Sequence, residues 1–185
     1  VYLAKFRYKE RQGEQPHYKT WYQNNGFQVI DNNDYYFEGG GDATFSSEDV
    51  LWAGYGFRTQ KEVYNNVQKL GAFKTVLCEL VSQRFYHLDT CFAPIAPELA
   101  LWYPDAFSKD TQAEMKKNID LLEVSEADAA KFVCNSVGFG RTVISPPGCD
   151  SAKADMEKKG FQVVEVDMSE FMKSGGACQC LVMKL

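Results

Sequence analysis

The sequence predicts one α+β domain built from repeated strand–strand–helix–strand units, and two observations carry that prediction. First, a pivot recurs: NNGFQVI at 24–30, KKGFQVVEV at 158–166, and a looser copy in EVYNNVQKLGAFKTVLCEL at 62–80. Its glycines, Gly26, Gly71 and Gly160, lie 45 and 89 residues apart, and 89 is close to twice 45. A fixed period of this size marks a repeat architecture. Second, helix-patterned and strand-patterned stretches mix evenly, which excludes a helical solenoid.

The elements follow in order. VYLAKF opens the chain as a strand. HYKTWYQ is amphipathic and reads as a helix, ended by Gly26 and followed by the strand FQVI. DATFSSEDVLWAGY reads as a hairpin, EVYNNVQKL as a helix, and the run after Gly71 as a strand. FYHLDTCFAPIAPELALWY is a second strand pair. DTQAEMKKNIDLLEV fills the next slot as a helix without the glycine, running into an apolar strand at Leu121–Val124. FVCNSVGFGRTVIS, AKADMEK and the segment after Gly160 repeat the pattern. KSGGACQCLVMKL closes the chain as a glycine-rich run entering a last strand. Glycine suits the position just after each helix, where the backbone turns left-handed. No linker or low-complexity tract divides residues 1–185, so one domain is expected.

Composition narrows the function classes. The chain has 185 residues, 45% hydrophobic and 24% charged, with a net charge of −5. No basic run exists, which argues against nucleic acid as a partner. No apolar stretch approaches the length of a bilayer span, and the start carries no secretory apolar region, so no membrane partner is expected. The six cysteines form no C-x-x-C pair and only two histidines are present, so a zinc site lacks its ligands and neither metal nor cofactor is expected. Scattered cysteines in a chain of this length fit a reducing, cytoplasmic setting.

Three stretches carry candidate chemistry. FEGGGDATF gives up three side chains between Glu38 and Asp42, as a chain does where backbone must pass close to something or turn left-handed. Asp42 also reads as an acid capping the glycine turn. In RFYHLDTCF, read as a strand, His87 and Asp89 share a face. A lone histidine is more often an ordinary surface or core residue, but an acid beside it supplies what proton transfer needs. Near the end, Cys180 follows Gly175, Gly176 and Ala177. It reads either as a buried core thiol or as a nucleophile with room beside it, one that needs a positive neighbour such as His87 to ionise. On a strand Cys178 and Cys180 would share a face, which leaves Cys178 as a rival.

Together these motifs resemble the pentein superfamily of guanidine-modifying enzymes, along essentially the whole chain. Glu38-Gly39-Gly40-Gly41-Asp42 resembles an E-G-G-D motif with one extra glycine. Gly56-Phe57-Arg58-Thr59 resembles G-x-R-T/S, and His87-Leu88-Asp89 resembles H-x-D. The glycine-rich run ending in Cys180 resembles the family's nucleophile loop. The similarity is greatest to the dimethylarginine dimethylaminohydrolase and amidinotransferase branches, the latter through HLDTCF.

The resemblance implies a five-unit α/β propeller of pseudo-symmetric ββαβ units, here incomplete at the N-terminus. Exposed edges would then call for the missing N-terminal unit or another subunit. It implies Cys180 as nucleophile, His87 as proton carrier, Glu38 as its partner, and Asp89 as acceptor for a small-molecule guanidino substrate. Arg58 would clamp an α-carboxylate, with Arg11 as a second carboxylate-binding arginine. The family pattern favours Cys180 over Cys178. The implied activity is hydrolysis of a dimethylarginine- or arginine-like guanidine through a thiouronium intermediate. The alternatives are amidino transfer at the same site and a non-catalytic binding remnant.

Overall fold

A computed structural model describes residues 1–183. The N-terminal segment carries a short helix α1 (Lys9–Gln12) and the longer α2 (Glu14–Asn24), whose end Gly26 turns left-handed at φ +82°. The strand expected at VYLAKF reduces to two isolated bridges, Tyr2 with Ile30 and Lys5 with Phe37.

Three ββαβ units follow. In the first, β1 (Ala43–Ser47) pairs antiparallel with β2 (Val50–Tyr55), and β2 pairs parallel with β3 (Lys74–Glu79) after a helical crossover containing α3 (Tyr64–Val67). The second repeats this with β4 (Phe92–Ala96), β5 (Leu99–Trp102), α4 (Lys109–Met115) and β6 (Asp120–Glu123). A short helix α5 (Glu126–Ala129) leads to the third: β7 (Val137–Phe139), β8 (Thr142–Ser145), α6 (Asp150–Lys158) and β9 (Gln162–Glu165). The predicted repeat is thus visible as three three-stranded sheets of one topology. The parallel step requires the crossover helix in each case.

Two pivot glycines behave as predicted: Gly26 and Gly160 both sit at φ +82° behind their helices. Gly71 does not. Its φ of −170° is extended backbone, and a Cβ there would stand 2.9 Å from the Phe73 ring, so close approach explains that glycine.

The first strands of successive units pack side by side, β1 on β4 and β4 on β7. One apolar core runs through all three units, from Trp52 and Phe92 through Trp102 and Phe107 to Met156 and Phe161. Trp52 and Trp102 are essentially inaccessible, and each fully buried large side chain contributes about 1.5–3 kcal/mol. A second core under β2 joins Phe37, Leu51, Val63 and Tyr64 to the N-terminal segment. A third, of Met168, Ala177 and Cys178, seats the chain end and α7 (Ser169–Met172) against the third unit. Among the described residues no helix is long and apolar enough to cross a membrane.

Candidate active site

The functional side chains come from connections between units rather than from the strands. Gly39–Gly41 form a single 3-10 turn leading into β1, with Glu38 immediately before it. His87 is extended and is followed by a 3-10 turn at Leu88–Thr90 leading into β4. The expected strand through FYHLDT is therefore a turn, and β4 begins at Phe92.

The glycine run of FEGGGDATF has two separate explanations. Gly39 adopts φ +58°. Gly41 lies against the imidazole, and a Cβ there would be 2.8 Å from His87 Nδ1 and 3.1 Å from its Cγ. The turn passes so close to the histidine that no side chain fits between them.

Glu38 is the hub. Its side chain is wholly buried, and Oε2 lies 2.7 Å from His87 Nε2 and 3.1 Å from Arg58 Nη1. Oε1 accepts the Arg7 backbone N–H at 3.1 Å. Its own N–H donates to Thr59 Oγ1 at 3.0 Å. Burial raises the Glu38 pKa, but the His87 hydrogen bond, the imidazole charge and Arg58 outweigh it, and the group stays below its ordinary value. For His87, burial works against the imidazolium. The Glu38 hydrogen bond and the charges of Asp42 and Asp89 prevail and hold its pKa above the ordinary value. Asp42 is buried, with Oδ1 accepting the Leu88 N–H at 3.0 Å and Oδ2 unpartnered 4.0 Å from His87 Nε2. It therefore does more than cap the glycine turn.

Cys180 and Asp89 form the second focus. Cys180 Sγ is 3.5 Å from Asp89 Oδ2, while Asp89 Oδ1 is buried without a partner. Burial, opposed by His87 and reinforced by Asp42, lifts Asp89 to about 6. Burial and the neighbouring Asp89 push the Cys180 thiol up to about 12. The expectation of a thiolate supported by His87 is corrected here: the thiol's side-chain partner is a carboxylate, which favours the neutral form.

The last strand is also corrected. Residues Gln179–Leu181 make a 3-10 turn, so Cys178 and Cys180 do not share a strand face. Cys178 is buried beside Met168 and Ala177, whereas Cys180 is exposed as a residue and only its sulfur is tucked in against Asp89. Gly176 explains itself by contact: a Cβ there would be 2.7 Å from the Cys180 sulfur. Lys184 and Leu185, the end of the predicted strand, lie outside the described residues.

A pocket of about 320 Å³ joins these groups, with Arg11, Arg58, Tyr86, His87, Ala177 and Cys180 on its wall. Arg58 is stacked between Tyr8 and Tyr86, its guanidinium carbon 4.4 and 4.7 Å from their ring centres. A second pocket of about 320 Å³ shares Arg58 and Tyr86 and adds Arg7 and Gln83. Arg11 forks onto Glu14 at 2.8 and 2.9 Å and lies over the Phe6 ring. Two groups escaped the sequence reading. Tyr86 donates its hydroxyl to Gly175 O at 2.6 Å, and Asn135 bonds to the backbone of both the Asp89 turn and the Cys180 loop. No motif marks either residue. Only the adjacency of Tyr86 to His87 could have drawn attention to it.

Repeated ββαβ units carrying a cysteine, a histidine and two carboxylates around one pocket define a pentein-type, guanidine-modifying class of protein. The chain belongs to the N,N dimethylarginine dimethylhydrolase, eukaryotic, family, whose model matches residues 1–185. It is 52% identical over 188 residues to the uncharacterized protein ZK1307.1 of Caenorhabditis elegans, covering 100% of this chain and 67% of that protein. It is 35% identical over 184 residues to N(G),N(G)-dimethylarginine dimethylaminohydrolase of Mycobacterium tuberculosis, covering 99% of this chain and 60% of that enzyme. Among solved structures, the N-terminal domain of ArgZ, an arginine dihydrolase from cyanobacteria, superposes with a TM-score of 0.94 at 40% identity. That match covers 98% of this chain and 68% of the other. A variant of the same ArgZ domain has been solved covalently bound to a reaction intermediate. The chain spans only part of these relatives, and 27% of two bifunctional cyanobacterial enzymes.

Proposed function

We propose that residues 1–185 act as one catalytic domain that hydrolyses an arginine-like or dimethylarginine-like guanidinium through a covalent intermediate on Cys180. The observation that carries the reading is the meeting of the Cys180 sulfur with the buried carboxylate of Asp89 at 3.5 Å, beside a pocket walled by His87 and Cys180 itself. A planar cation offering paired N–H donors fits a carboxylate with an unsatisfied oxygen. The arriving cation also offsets the negative field of Asp89, so the thiol loses its proton to solvent and the thiolate forms in the complex although the free thiol is neutral.

The thiolate then adds to the central guanidinium carbon, forming the C–S bond. His87 gives a proton to the departing amine as the C–N bond breaks. Its Nε2 hydrogen-bonds Glu38 and the glycine turn packs against its Nδ1 edge, so the ring is held in one orientation at the pocket wall. In the second half a water loses its proton to His87 and attacks the thiouronium carbon. The C–S bond breaks, and a urea-type product leaves with the thiolate restored. Arg58, bonded to Glu38 through one nitrogen, and Arg11 when its fork on Glu14 opens would meet an α-carboxylate at the pocket rim. The resting site is thiol-based, and its free cysteines fit a cytoplasmic setting.

The test is a citrulline assay with L-arginine and asymmetric dimethylarginine, run with agmatine, which lacks the carboxylate, and with an added amine acceptor. Citrulline from one of the first two substrates, abolished in Cys180→Ser, is expected. Turnover only when the amine acceptor is present would replace hydrolysis with amidino transfer. No turnover and no adduct on Cys180 would refute the reading.

A further inference from the structure

Asn135 is fully buried and uses both ends of its amide across the site. Its Nδ2 donates to the backbone carbonyl of Asp89 at 2.9 Å. Its Oδ1 accepts the backbone N–H groups of Ala177 at 2.8 Å and Cys180 at 3.2 Å. One side chain therefore ties the Asp89 turn to both ends of the loop segment that presents the sulfur. The partners lie 42 to 46 residues away in sequence, so no local backbone geometry would hold them in register.

The local fold commits effort to this placement. Asn135 ends a 3-10 turn, Val133–Asn135, entered through Phe132 at φ +62°. Among the described residues Phe132 is the only non-glycine residue with a positive φ. A left-handed phenylalanine costs free energy and persists only where surrounding packing over-determines it. Here the Phe132 side chain packs on the Met168–Ala177–Cys178 cluster, the same cluster that seats the cysteine loop. The strained entry and the buried amide thus act on one joint.

We propose that Asn135 is the positioning residue that sets the separation between the Cys180 sulfur and the Asp89 carboxylate, by bracing the backbones that carry them. Its amide also stands within hydrogen-bonding reach of the Asp89 carboxylate and the Cys180 sulfur, so it holds the two groups themselves as well as their backbones. The inference rests on the guanidine reading, because register between sulfur and carboxylate matters only for a cation held by Asp89.

Two alkylating probes separate this from a merely structural role. Chloroacetamidine is cationic and planar like a guanidinium, whereas iodoacetamide is neutral and needs only an accessible thiol. In both, a C–S bond forms as the carbon–halogen bond breaks, halide leaves, and the thiol proton goes to buffer. The ratio of the two rates at Cys180 reports register, and labelling of the five buried cysteines reports unfolding.

The wild-type chain should prefer the amidine. Asn135→Ala should lower that preference by about tenfold or more while iodoacetamide labelling holds, since small misplacements cost large factors in rate. Asn135→Asp keeps the oxygen that accepts both N–H groups, and where it is protonated its hydroxyl replaces the donor to the Asp89 carbonyl, so at acidic pH its loss should be shallower than that of Asn135→Ala. In wild type the Ala177 and Cys180 amides should exchange slowly and together, a readout that requires no variant to fold. A preference unchanged in Asn135→Ala, a loss equally deep in Asn135→Asp at acidic pH, or fast exchange at those amides would overturn the inference alone. A wild-type chain with no amidine preference would overturn the guanidine reading and this inference with it.

Discussion

The Cys180 sulfur and the Asp89 Oδ2 meet at 3.5 Å although 91 positions separate them in the chain. The Asp89 turn is fixed by the entry to the second unit, and the Cys180 loop is seated on the third. A thiol facing a carboxylate is a resting arrangement that disfavours the thiolate, and a cation bound between pocket and carboxylate reverses that preference. In the mechanism proposed above, activation of the thiol therefore depends on the ligand.

Gly41→Ala tests the closeness of the glycine turn to the imidazole. The new Cβ would stand 2.8 Å from His87 Nδ1, against a ring already bonded to Glu38. The ring must move, and turnover should fall by about 100-fold with the thiol still accessible to iodoacetamide. Steady-state rates beside wild type check this.

Gly176→Ala acts on the other partner. A Cβ 2.7 Å from Sγ forces the sulfur away from Asp89. Adduct formation with a guanidino ligand should drop by about 100-fold, measured by intact mass after quenching, while the buried thiols stay unlabelled.

Glu38→Gln addresses the pKa of His87. Its present value stands above the ordinary one because Glu38 and two further carboxylates outweigh burial. Without the Glu38 charge burial gains the upper hand, and the His87 pKa should fall. The chain has only two histidines, so proton NMR titration resolves the change. An unchanged value would mean Glu38 does not hold the imidazolium.

The pH dependence of stability follows from Asp89. Its pKa rises from 3.8 to about 6 on folding, so the folded chain retains a proton there that the unfolded chain releases. The resulting penalty is absent below the unfolded value and grows as pH rises through that window. His87, raised above 6.5, adds stability below its unfolded value that is lost as pH rises through its folded one. Glu38, lowered from 4.5, acts only at more acidic pH. Stability should therefore fall by about 2 kcal/mol between about pH 4.5 and about pH 7.5 on account of Asp89. Asp89→Asn should remove that share, leaving the portions of His87 and of Asp42, whose burial also raises its pKa, as urea midpoints would show.

The repeat was legible because the pivot glycines and alternating apolar runs record local geometry that each unit needs on its own. The site motifs were legible because glycine beside an acid reports close packing. Gly41 and Gly176 do so, against the His87 ring and the Cys180 sulfur. What stayed hidden depends on the surroundings of a side chain. FYHLDT alternates like a strand, yet His87 must leave the strand path to reach Glu38, and the 3-10 turn makes that possible. CQCLV is apolar enough for a strand, yet the loop curls so that Ala177 and Cys180 can both donate to Asn135. That asparagine left no trace because its partners are backbone groups 42 to 46 residues away.

The most direct test is intact and peptide mass spectrometry on the chain incubated with L-arginine or asymmetric dimethylarginine and quenched in acid. A guanidine-derived adduct on Cys180 of the wild-type chain, absent in Cys180→Ser, is the predicted result. Modification confined to Cys178, or no adduct under conditions where the substrate is turned over, would contradict it.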